Sequence, residues 1–89
     1  MEKISSSTRY ADNIGNLHIE ADVQRDERTG KITAINNGTV KDTDTDTGGW
    51  FNVSGEGKLS IGGFDATDKE ALNAVTDAVI SFYKEVDEA

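Results

Sequence analysis

Cysteine is absent from the 89 residues. Disulfides, thiolate nucleophiles and thiolate metal sites are thereby excluded, and a small secreted domain, which usually needs such cross-links, is a poor match. Histidine is nearly as scarce, with His18 alone. No stretch approaches the roughly 18 consecutive apolar residues of a membrane span, and no N-terminal apolar run resembles a signal peptide. A soluble, cytoplasmic protein is expected, with no membrane partner. Basic residues are the minority, 9 against 17 acidic, which gives a formal net charge of −8. That balance repels bare nucleic acid and anionic membranes. It favours basic proteins, including those whose own task is to hold nucleic acid.

The means for catalysis are also thin. His18 alternates outward beside Glu20, as a solvent-facing strand residue does. Ser7 and Ser81 have neither the spacing nor the elbow of a nucleophile in a hydrolytic triad. Acidic pairs are plentiful, but none lies in an evident apolar pocket that would raise one pKa. The stretch GEGKLS at Gly55–Ser60 lacks the four-residue spacer of a phosphate loop. No enzymatic activity and no cofactor are expected.

What the chain does have is DTDTDTGG at Asp42–Gly49. In an extended conformation Asp42, Asp44 and Asp46 would share one face, roughly 6.5–7 Å apart. The three aspartates match the first three acidic positions of a calcium loop. Thr47 then stands where that loop wants glycine, and Val53 where it wants glutamate. A weak calcium site is the lesser alternative, and an acidic loop that is merely solvated is the plainest one. The candidate partner-binding surface joins Asp42, Asp44 and Asp46 to Glu20 and Asp22 on the wet face of the first hairpin, with Glu56 at the rim. Trp50 follows two glycines and reads either as an aromatic anchor or as ordinary core.

The periodicity predicts strands followed by a helix. Residues 1–16 read as an edge strand or a partly ordered arm, anchored by Ile4 and Tyr10, with a turn at 13–16. Leu17, Ile19, Ala21 and Val23 alternate with polar residues, which is a half-buried strand. Asp26–Gly30 reads as a turn. The return strand carries Ile32, Ala34 and Val40 on one face and Thr33 and Ile35 on the other, and Asn36-Asn37-Gly38 marks a turn or bulge. Phe51 and Val53 share a face, with Trp50 and Asn52 opposite. The SGEG turn at 54–57 returns the chain through Leu59 and Ile61. Leu72, Val75, Val79, Phe82 and Val86 recur at steps of three and four, and Ala71, Ala78 and Tyr83 widen that stripe. They predict one amphipathic helix over 68–86, opened by a capping box of Thr67 and Glu70. The expected fold is a single α+β domain over 1–89: an antiparallel sheet of four to five strands, as two hairpins joined by a long polar connection, packed against the C-terminal helix.

In its size, its charge, the DTDTDT row, and the hairpins preceding the FDATDKEALNAV helix start, the chain resembles small acidic phage-encoded anti-defence proteins, some anti-CRISPR proteins among them. The resemblance implies a non-enzymatic inhibitor in the host-cell cytoplasm. It would occupy the nucleic-acid or target-recognition surface of a basic bacterial protein or nucleoprotein complex, without itself binding nucleic acid, as a monomer or weak homodimer. The helix start T-x-x-E-A-L at Thr67–Leu72 is also similar to small β-sheet-plus-helix antitoxins that neutralise a basic toxin. A third alternative is an assembly protein that pairs with itself through the helix stripe.

Overall fold

The computed structural model describes residues 5–65 and 67–88. Ile4 and the rest of residues 1–4 lie outside the described residues. Five strands are followed by one helix: β1 Ser5–Ile14, β2 Leu17–Asp26, β3 Ile32–Asp42, β4 Thr47–Val53, β5 Leu59–Gly62 and α1 Lys69–Glu88. The strands form one antiparallel sheet in the order β1-β2-β3-β4-β5. Each strand therefore lies beside its sequence neighbour, and the helix covers one face. This is the expected α+β class.

Two details depart from the sequence reading. The sheet is a continuous meander, because the polar connection expected between two hairpins is itself strand and tight turn. The N-terminal arm takes the edge-strand alternative over ten residues. It turns into β2 through Gly15 and Asn16 alone, with Gly15 at φ 60, the positive value a two-residue hairpin loop asks of glycine. The faces of β3 also differ from strict alternation. Ile35 and Val40 are both buried, although their odd spacing would put them on opposite faces. The register slips between Glu20/Asp22 and again between Gln24/Arg25, which gives β3 an extra residue at each place. The first slip lies at Asn36-Asn37-Gly38, where Asn37 has φ 54. Each bulge flips the side chains beyond it. Ile35 thus faces the core, and Ala34, opposite Gln24, faces away.

The core gathers Ile19, Ala21 and Val23 from β2, Ile35 and Val40 from β3, and Phe51 and Val53 from β4, against Val75, Ala78, Val79, Phe82 and Val86 of the helix. Phe51 and Phe82 meet edge to face, with centroids 6.0 Å apart and planes at 81°, the arrangement their ring quadrupoles favour. Val75, Ala78, Val79, Phe82 and Val86 of the helical stripe are thus packed on the sheet of their own chain. The helix opens on Asp68, whose Oδ1 accepts the Ala71 amide at 3.1 Å. Thr67 instead donates its hydroxyl and amide to Asp65, so the cap is one residue later than the capping box predicted. Arg25 fastens the far end by donating to the carbonyls of Gly30 and Val86.

Candidate protein-binding face

No described element covers the side of the sheet away from the helix. Antiparallel partners point to the same face, so the register orders its side chains into cross-strand rows. Glu20 lies opposite Thr39, Thr39 opposite Trp50, and Trp50 opposite Gly62. The next row holds Arg9 opposite Asp22 and Asn52 opposite Ser60, with the Asn36–Asn37 bulge between them. Trp50 is 48% exposed, while its neighbour Phe51 is fully buried. The indole rests on Gly62, where any Cβ would collide with the six-membered ring. The exposure of Trp50 settles it as a surface residue rather than core.

Glu20 and Asp22 do share this face, as expected, but both are engaged. Arg9 Nη1 donates to Asp22 Oδ1 at 3.0 Å, and Arg9 Nη2 lies 3.5 Å from Glu20 Oε2. Asn37 Nδ2 donates to the other Asp22 oxygen at 3.0 Å. That bond and the guanidinium hold the Asp22 carboxyl below its ordinary pKa. His18 Nε2 lies 3.6 Å from Glu20 Oε1, and its Nδ1 is 2.7 Å from Asn13 Oδ1. Arg9 stands between Glu20 and Asp22 and offsets one of their two charges, while Lys41 lies opposite His18 and pairs with Asp46. The extended acidic surface drawn from the sequence is not formed there.

The DTDTDT segment is not a strand. Asp42 ends β3, and Thr43–Asp46 make a turn into β4. Asp42 Oδ1 accepts the amides of Asp44 and Thr45 at 2.9 and 3.3 Å, and its carbonyl accepts that of Asp46 at 2.9 Å. Asp46 has φ 57, a conformation aspartate tolerates better than most residues. An aspartate that can bond its own backbone two residues on competes with the strand ladder, and here the turn wins. Asp46 is drawn to Lys41 at 2.9 Å, which lowers its pKa through the hydrogen bond and then the charge. Thr43 bonds the Asn16 carbonyl through its amide and its hydroxyl, tying this turn to the β1–β2 turn.

The Asp42 and Asp46 carboxylates are thus engaged by turn amides and by Lys41, and the three aspartates do not form a row. Asp42 points to the helix side and borders a cleft with Ile14, Leu17, Ala74 and Asp77. Asp44 and Asp46 lie at the exposed tip. Glu56 is at the opposite end of β4, in the next turn, 3.5 Å from Lys58. No three histidine, cysteine, aspartate or glutamate side chains converge to hold a metal among the described residues. The calcium alternative at Asp42, Asp44 and Asp46 loses its geometry, since the Asp42 oxygen serves turn amides and Asp46 serves Lys41.

Sequence reasoning missed the role of Arg9 and the polar groove where Asn36, Asn37 and Asn52 meet Glu56, Lys58 and Ser60. The Asn-Asn-Gly signal pointed to a bulge, but the strand pairing was needed to bring it beside Asn52. No described helix is long and apolar enough to cross a membrane. Compared with protein-family models, curated proteins and solved structures, the chain matches none.

Proposed function

We propose that this chain is a non-enzymatic binding protein that docks on a basic, nucleic-acid-handling protein through the open face of its sheet and blocks the surface it covers. The observation that carries the reading is Trp50, held on Gly62 and half exposed in a face that no described element covers. A rigid aromatic set among polar residues suits the anchor of a protein interface. Leaving it in water has a cost that its own fold does not recover.

Charge selects the partner. Residues 65–88 carry seven carboxylates and two lysines, and Asp44 and Asp46 project from the turn at one end of the open face. This field attracts a basic protein over distance, while Trp50 and the paired Glu20–Arg9–Asp22 set give the contact its shape.

The test is a photo-crosslinking residue at position 50 and a control at Ile80 on the helix. Position 50 is expected to capture a basic nucleic-acid-handling chain, with capture lost on adding unlabelled protein and weakened as salt screens the field. Equal capture at both positions, or an acidic partner, overturns the proposal.

A further inference from the structure

We infer that the outer edge of β1, which no described strand pairs, is a second contact, which accepts an extended segment of the partner as a sixth strand with a lysine or arginine on its helix side. The inference rests on the proposed basic partner and adds where its chain would lie.

The two edges of the sheet are unlike. β5 has four residues, while β1 has ten. The β2–β3 and β3–β4 ladders are broken by bulges, but all ten β1–β2 pairs run without a slip. Short strands, bulges, proline and charged side chains, lysine above all, are the usual means of blunting an edge. β1 has neither lysine nor proline along its ten residues; its charges are Arg9, which is paired with Glu20 and Asp22, and Asp12 on the helix side. Such an edge invites strand addition, in which backbone hydrogen bonds give the affinity and alternate side chains the specificity.

The hairpin geometry says which groups are offered. A two-residue loop closes on the hydrogen-bonded pair Ile14–Leu17, and bonded pairs alternate from there. Ser7, Arg9, Ala11 and Asn13 therefore turn their amides and carbonyls outward. The Asn13 amide is already taken by the Asp12 carboxylate at 2.8 Å, so Asp12 stands where an incoming strand would begin. Glu85 reaches Asp12 from the helix, and Glu88 is near. The hydrogen bond to Asp12, then the like charges, raise the Glu85 pKa. No described cation pairs with any of the three.

A cation on the helix side of an added strand would answer Asp12 and Glu85. The alternate residues, on the open face, would meet Arg9 and need no charge. A second copy of this chain is the poorer occupant, because it would bring another net −8 to the same acidic edge.

The probe is an octapeptide of alternating lysine and threonine, titrated into the isotope-labelled full chain. Slowed hydrogen exchange is expected at Ser7, Arg9 and Ala11, with saturable shifts there and at Glu85. The D12N/E85Q double variant should bind about five-fold more weakly, the scale of two exposed ion pairs. The same peptide N-methylated on alternate residues should give no protection. Unchanged exchange at those amides at millimolar peptide overturns the inference, as does equal protection by the methylated peptide. Protection that appears on concentrating the protein alone would assign the edge to a second copy and likewise overturn it. Crosslinking separates this inference from the functional proposal: capture from position 50 but not from position 11 defeats the edge contact alone.

Discussion

The indole of Trp50 occupies the space that a side chain on Gly62 would fill. The anchor is therefore positioned by the neighbouring strand, and its orientation depends on a hydrogen atom at position 62. Gly62→Ala is expected to lift the ring from the sheet. Because Trp50 is the only tryptophan, its emission reports this directly. The spectrum should shift to the red and quenching by iodide should increase, while far-ultraviolet circular dichroism stays unchanged. An unaltered spectrum would contradict this placement.

Gly38 has the same relationship to the core. A Cβ there would meet both the Phe51 carbonyl and the Phe51 ring, and Phe51 itself packs on Phe82. Gly38→Ala should destabilise the fold by about 1–3 kcal/mol, the usual cost of overpacking. Urea denaturation measures it.

The two residues at the start of the helix offer a discriminating pair. Asp68→Ala removes the acceptor for the Ala71 amide and should cost about 1 kcal/mol, as loss of an N-cap does. Thr67→Ala leaves that bond in place and should cost less. Equal losses would restore the threonine to the capping position.

Stability should respond to acid in two opposite ways. The Asp22 carboxyl is held below its ordinary pKa by Asn37 and then Arg9. Its contribution is therefore present above the unfolded pKa and lost as pH falls through the folded one. Glu85 is raised by Asp12 and by Glu88. Its contribution is present below the unfolded pKa and lost as pH rises through the folded one. At neutral pH and low salt, E85Q should melt higher than the parent, with the gap closing as pH falls. D22N should melt lower, and its gap should also close in acid. Thermal melts at a series of pH values check both signs.

Much of this architecture was legible because the local patterns were regular. Leu17 to Val23 alternates cleanly, since one face of β2 meets the core and the other meets water. The helical stripe was equally plain, and Trp50 did fall opposite Phe51. The misreadings share a cause, namely local side-chain bonding or an inserted residue that periodicity does not register. Alternating Asp and Thr has the period of a strand, yet the Asp42 carboxylate bonds its own turn. Ile35 and Val40 share a face only because the bulge at Asn36–Gly38 shifts the count. Of the candidate residues, Glu20, Asp22 and Trp50 share the open face of the sheet. Asp42 and Glu56 went elsewhere, because which end of a strand carries a turn depends on the completed order of the sheet.

The meander also bears on how the chain reaches this state. Every strand pairs with the one before it, so four successive hairpins can zip up with short loop closures, the least demanding kind of search. Docking of the helix from the β5 end back across β2, locked by Arg25 on the Val86 carbonyl, joins distant parts of the chain and should come late. Weakening that latch should then quicken unfolding far more than it slows folding.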